Sequence, residues 1–293
     1  MNLYAVNTGH FKLDGGAMFG VVPKSMWNKL NPADENNMCS WALRSLLIEE
    51  GDKLILIDNG MGDKQDAKFF GHYYLHGDDE LNKSLARYGF TKDDITDVVL
   101  THLHFDHCGG SITRVGDKLM PAFKYATYWS NERHWQWAIK PNDREKASFL
   151  KENILPIKES RQLKMVDIPA LADDGSETGL ITQPSAIIPG LSFFFVNGHT
   201  DAMMLPVIRF KDKTIVFVAD LLPSVAHIPL PYVMAYDMFP LTTLKEKKTF
   251  LSQALQNDYI LFFEHDPVNE CCTLQSTEKG IRQKDVFKLH EVG

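Results

Sequence analysis

Cysteine is scarce in this chain: there are four in 293 residues. They stand at Cys39, Cys108, Cys271 and Cys272, and no two form a C-x-x-C pair. That is too few for a disulfide framework, and adjacent Cys271 and Cys272 suit reduced thiols, which sets the expectation of a cytoplasmic protein. Long apolar runs are missing too. The longest, such as 215–219, fall far short of the roughly 20 residues that cross a bilayer. Residues 1–7 show neither the charged start nor the continuous apolar stretch of a signal peptide, so neither export nor membrane insertion is expected. Positive charge is in deficit, with 31 Lys and Arg against 38 Asp and Glu, a formal net charge of −7. That balance argues against a nucleic-acid partner or an anionic membrane surface, either of which calls for a basic patch. It leaves a small molecule as the expected partner, and does not bear on a local positive centre made by metal ions.

What is present is an ordinary globular composition, 44% hydrophobic and 24% charged, on a chain long enough for a large core. Length alone suggests two domains. No linker, repeat or low-complexity tract divides the chain, so one domain over 1–293 is expected, with a helical insertion around 121–160. Residues 43–48 and 53–57 read as strands joined by the turn Glu50-Gly51-Asp52. Residues 79–88 read as a helix stopped by Gly89, and 97–101 as a buried strand. Residues 129–153 read as helical and divided by Pro141. Asp173-Asp174-Gly175-Ser176 reads as a turn and 171–185 as loop. Strands are expected at 191–196, 214–219 and 259–263, and Thr243-x-x-Glu246 reads as a capping box opening a helix through about Gln256. Strands alternating with helices indicate a mixed α/β (α+β) fold.

Of eleven histidines, three fall with an aspartate inside the run Thr101-His102-Leu103-His104-Phe105-Asp106-His107-Cys108-Gly109-Gly110, directly after the 97–101 strand. In extended chain, residues i and i+2 point the same way, so His102 and His104 can grip one ion. Asp106 and His107 follow where Gly109 and Gly110 allow a sharp turn, and can face a second point. Imidazole with carboxylate suits zinc, manganese, iron or cobalt. The alternative is a His-rich surface loop or hydrogen-bonded core histidines. His199, Asp220 and His265 each follow a predicted strand, where loops can converge on one site. Cys108 adjoins the cluster and is read as a small packing residue.

The T-H-x-H-x-D-H-x-G-G run, with the later His, Asp and His at strand ends, resembles the metallo-β-lactamase-fold hydrolase superfamily, over about residues 40–268. The resemblance implies a four-layer αββα sandwich and two divalent metal ions per chain, zinc first, with manganese, iron or cobalt as alternatives. It assigns His102, His104 and His199 to one metal, Asp106, His107 and His265 to the other, and Asp220 to both. It makes Asp58 the brace of the histidine loop, with a plain turn residue as the alternative. It implies a metal-bridging hydroxide that attacks a carbonyl or phosphoryl centre, with Asp106 as the catalytic proton carrier.

The run 13–23 with Trp27, the run 220–227, and Tyr236-Asp237 resemble the branch of N-acyl-homoserine lactonases and methyl-parathion-hydrolase-like enzymes. That branch implies substrate contacts from Met18, Phe19, Trp27, His227 and Tyr236, and a homodimer. Packing is the alternative role for the first three, and a place on the surface or behind the metal ligands for His227. Two departures stand out. Pro223 occupies the position of a common lactonase tyrosine, and Gly198-His199-Thr200 is followed by Asp201-Ala202-Met203. The leading expectation is a lactone or ester hydrolase. Its alternatives are an organophosphate or aryl-ester hydrolase, a glyoxalase-II-like thioesterase, a β-lactamase, a mononuclear iron dioxygenase or a non-catalytic binding protein. The aromatic segment 121–160 could cap the pocket, form a dimer surface or pack as core.

Overall fold

Runs of β-branched and aliphatic residues dictate the strands, and burial on both faces explains why several lack polar alternation. In a computed structural model describing residues 1–169 and 180–292, the strands are β1 (Asn2–Asp14), β2 (Met38–Glu50), β3 (Lys53–Ile57), β4 (Asp97–Val99), β5 (Ile112–Val115), β6 (Lys118–Pro121), β7 (Thr127–Ser130), β8 (Leu163–Met165), β9 (Gln183–Pro184), β10 (Leu191–Val196), β11 (Met203–Phe210), β12 (Lys213–Phe217), β13 (Ile260–Phe262), β14 (Cys271–Thr277) and β15 (Gly280–Phe287). The α-helices are α1 (Gly15–Phe19), α2 (Lys24–Trp27), α3 (Ala67–Gly71), α4 (Leu81–Arg87), α5 (Phe105–Cys108), α6 (Glu132–Ile139), α7 (Lys151–Glu159) and α8 (Pro240–Gln256). A six-stranded sheet runs β1-β2-β3-β4-β7-β8, and a seven-stranded sheet runs β15-β14-β13-β12-β11-β10-β9. β5 and β6 form a separate hairpin.

The chain groups into two compact units: residues 1–10, 43–167 and 186–188, and residues 11–42, 168–185 and 189–293. In the first unit, β3, β4 and β7 are parallel neighbours. Leu54, Leu56, Val98, Leu100 and Tyr128 bury their side chains there with Leu85, Trp135 and Ile157 from the helices. At about 1.5–3 kcal/mol for each fully buried large apolar side chain, this cluster dominates the unit's stability. In the second unit, β11 pairs antiparallel with β10 and β12, and β12 runs parallel to β13. Phe194 packs edge-on to Phe250 of α8.

The β2–β3 hairpin forms where its turn places it, with Glu50 opposite Lys53. The segment expected to be helical over 129–153 and divided by Pro141 gives α6 and α7 on either side of that proline, but its first residues are not helical. Val98 and Val99 pair with Tyr128 and Trp129, so the sheet takes the start of the segment as β7. Asn131 then caps α6 by accepting from the His134 amide at 2.8 Å. The expected capping box at Thr243 is not the start of its helix either. α8 opens three residues earlier, with Pro240 at its first position, where a missing N–H costs nothing. The turn expected at Asp173–Ser176 lies outside the described residues. No helix among the described residues is long and apolar enough to cross a membrane.

Inside α8 the Lys247 side chain is fully buried. Its ammonium donates to the carbonyls of His227, Pro229, Leu230 and Tyr232 at 2.6, 3.1, 3.4 and 2.8 Å, tying down the 227–232 loop. Lys247→Met removes the donor to these carbonyls and is expected to cost of the order of 3 kcal/mol. Burial pushes Lys247 down to about 7, with the charge of Asp237 working the other way, as do the accepting carbonyls. Between about pH 7 and the ordinary lysine value of 10.5, the folded protein holds fewer protons than the unfolded chain. Stability therefore rises with pH across that window. The expected result is that Lys247→Met lowers the melting temperature and flattens this slope in melts from pH 7 to 10.

Candidate metal centre

The histidine run leaves β4 as extended chain. His102 and His104 are buried, and His102 Nε2 lies 3.0 Å from His104 Nδ1. The chain then turns into α5, whose four residues Phe105–Cys108 carry Asp106 and His107. Gly109 sits in the ordinary right-handed helical region, so conformational freedom is not what this glycine supplies. Close approach is: a Cβ on Gly109 would stand 2.1 Å from the Met61 carbonyl oxygen, and one on Gly110 2.2 Å from that of Asn59.

Every histidine of the run has one ring nitrogen tied down. His107 Nδ1 lies 3.0 Å from Asp58 Oδ2, and both groups are fully buried. Asp58 also accepts from the Thr101 amide at 2.8 Å and the Thr101 hydroxyl at 2.6 Å. Because that hydroxyl donates to Asp58, it accepts from His102 Nδ1 at 3.0 Å. His104 Nε2 meets Glu145 Oε1 at 2.9 Å. Such outer partners fix the tautomer and aim the remaining lone pair, here at His102 Nε2, His104 Nδ1 and His107 Nε2. Asp58 therefore braces the loop, as the resemblance implies, from a left-handed conformation at φ +54° that Asp tolerates better than most residues. The Cys108 thiol points away, donating to the Leu103 carbonyl at 3.3 Å, and burial pushes it up to about 12.

The second unit brings its three expected side chains together. Asp220 Oδ2 lies 3.2 Å from His199 Nε2, and Asp220 Oδ1 lies 3.2 Å from His265 Nε2. One carboxylate thus presents a separate oxygen to each of two histidines. The far nitrogens are again held: His199 Nδ1 by Asp237 Oδ1 at 2.9 Å, and His265 Nδ1 by the Ala42 carbonyl at 2.8 Å. The donor set is imidazole and carboxylate with no thiolate, which fits a divalent metal such as zinc.

The expected substrate contacts come out differently. Met18, Phe19 and Trp27 are at most 2% exposed. Phe19 stacks between Trp27, 5.2 Å away, and His227, 4.7 Å away, so these residues form an aromatic packing layer. His227 is also buried. Its Nδ1 meets Ser224 Oγ at 2.8 Å and its Nε2 meets the Met18 carbonyl at 2.9 Å. Both ring nitrogens have protein partners, and burial pushes its pKa down to about 3. Tyr236 alone of the five is exposed, at 38%, with Phe239 nearby at 44%.

Sequence reasoning missed two buried partners. Glu145 comes from the inserted segment, where Trp137 Nε1 also donates to it at 2.6 Å. His134 of α6 accepts from the Leu103 amide at 2.9 Å, fixing the peptide between the first two histidines of the run. Glu145 lies in the charged run Asp143-Arg144-Glu145-Lys146, and nothing in its spacing marked it.

An N-acyl homoserine lactonase of Bacillus thuringiensis is 28% identical over 119 residues, 37% of this chain and 43% of the relative. The chain therefore matches less than half the length of that relative. A probable metal-dependent hydrolase from Staphylococcus aureus superposes with a TM-score of 0.85 at 26% identity, covering 100% of this chain and 98% of the other. AidC, a dizinc quorum-quenching lactonase, shares the fold with a TM-score of 0.77 at 21% identity, over 98% of this chain and 95% of its own. Residues 44–265 match the Metallo-beta-lactamase superfamily, and the chain belongs to it.

Proposed function

We propose that the protein is a metal-dependent hydrolase with two divalent ions, zinc first, acting on lactone or ester carbonyls, with N-acyl homoserine lactones as the leading substrates. The observation that carries this reading is Asp220 presenting one oxygen to His199 and the other to His265, an arrangement in which one carboxylate would serve two ions. In this reading the donors are His102, His104, Asp106 and His107 of the first unit and His199, Asp220 and His265 of the second, all of them buried. The lactonase relatives and the S. aureus hydrolase support the reading.

A bound pair of divalent ions supplies Lewis-acid polarisation of the substrate oxygen and a water of lowered pKa. The chain supplies the rest. Asp58, Thr101, Glu145, Asp237 and the Ala42 carbonyl hold the five histidines in the tautomer that keeps a lone pair inward. Asp106, in the first turn of α5, carries the proton that the departing alkoxide oxygen needs. Phe69 and Tyr73 lie against Phe105 at 5.3 and 4.7 Å, next to Asp106. Tyr236 and Phe239 stand exposed on either side of the segment holding Asp237. These aromatic surfaces suit a substrate with an apolar acyl chain.

The test is a panel of acyl lactones, aryl esters, phosphotriesters and thioesters with the metal-loaded protein. The expected outcome is the highest kcat/KM on acyl lactones, lost on chelation and restored by metal. Faster turnover of a phosphotriester or thioester, or hydrolysis that survives chelation, contradicts it.

A further inference from the structure

The Glu246 side chain of α8 does work its place in the helix does not call for. Its Oε1 accepts from the Asn197 amide at 2.7 Å, and its Oε2 accepts from the Gly198 amide at 2.9 Å. These are successive N–H groups of the turn between β10 and His199. A carboxylate that bridges two adjacent amides fixes the plane of the peptide between them and constrains the next one.

The same turn is clamped from its other side. The Phe239 amide donates to the Gly198 carbonyl at 2.8 Å, and the Met238 amide donates to the His199 carbonyl at 3.0 Å. The amino-terminal turn of α8 presses so closely on the loop that a Cβ on Gly198 would lie 2.3 Å from the Thr243 amide nitrogen. At the side chain, Asp237 holds His199 Nδ1, and His199 Nε2 faces Asp220. Asp237 thus sets the ring's tautomer, while the backbone contacts set where the ring stands.

We infer that Glu246 is a positioning residue for the metal centre: by gripping the Asn197 and Gly198 amides it sets the position from which His199 donates to metal. This rests on the proposed metal-binding function. The carboxylate's hydrogen bonds go to the Asn197 and Gly198 amides, so its effect reaches the ion through the loop.

The experiment compares the wild type, Glu246→Gln, Glu246→Ala and the helix-surface control Lys248→Ala. Zinc affinity is measured by competition with a chromophoric chelator, and melting temperature is measured on the metal-free proteins. Glu246→Gln keeps one acceptor oxygen but sets an NH2 against the second amide, while Glu246→Ala keeps none. The expected order of zinc affinity is wild type, then Gln, then Ala. Ala should bind about tenfold or more weakly, the lower end of the loss seen when partners of metal ligands are removed. Lys248→Ala should bind as the wild type does. If Glu246→Ala fails to fold, the Gln variant decides. The inference is overturned if the folded Gln and Ala variants bind zinc as the wild type does, or if affinity falls only in step with the melting temperature of the metal-free protein. A wild type that binds no zinc at all would instead overturn the proposed function.

Discussion

Asp220→Ala is expected to leave a folded protein that holds metal more than about 100-fold less tightly, a loss beyond the 10–100-fold typical of partners that only touch a ligand. The reason is geometric. Asp220 places one oxygen 3.2 Å from His199 Nε2 and the other 3.2 Å from His265 Nε2. Its removal takes a donor from both proposed ions, so loss of hydrolysis should accompany loss of metal. His265→Ala, by contrast, removes a donor from one ion and should leave the other bound. Metal analysis of the dialysed variants distinguishes the two. Asp220→Ala retaining a full metal complement would contradict the shared-carboxylate assignment.

Asp58→Ala is expected to act on stability and metal affinity together. Asp58 is fully buried and collects the Thr101 amide, the Thr101 hydroxyl and His107 Nδ1. Removing it leaves these donors without their acceptor, at about 1–3 kcal/mol for each buried group left unsatisfied. It also frees the tautomer of His107 and, through Thr101, that of His102, with an expected 10–100-fold loss of metal affinity. Asp58→Asn separates the two effects. Asn tolerates the left-handed backbone as Asp does, and its oxygen still accepts from the Thr101 amide. Its NH2 cannot accept from His107 Nδ1, whose own proton it then opposes. Thermal melts of the metal-free proteins should therefore place Asn between the wild type and Ala, while chelator competition shows both variants impaired. Equal metal affinity in wild type and Asn would remove the bracing role.

Much of the centre is legible in the sequence because its chemistry is local. His102 and His104 are two apart in extended chain, and the alternation that predicts a shared face is what puts their nitrogens 3.0 Å apart. His199, Asp220 and His265 follow strands that read plainly from their apolar runs. What escapes is whatever depends on distant chain returning to the loop. Glu145 braces His104 across 41 residues and Glu246 grips Gly198 across 48, and neither separation leaves a periodic trace. The Thr243-x-x-Glu246 spacing even suggests a cap, because local pattern cannot show that the carboxylate leaves its own helix. Phe19 and Trp27 read equally well as an entrance or as a core. Only the stacking of Phe19 against both Trp27 and His227 decides for packing. The end of β7, at Trp129 and Ser130, reads as helix because nothing local signals the parallel pairing with β4 that claims the strand.

Metal content tests the account most directly. The protein, purified without chelator, loaded with zinc and freed of excess, should carry about two ions per chain by elemental analysis, and His102→Ala should carry fewer. Stoichiometric binding of a single ion, or none, would contradict a carboxylate shared between two metals.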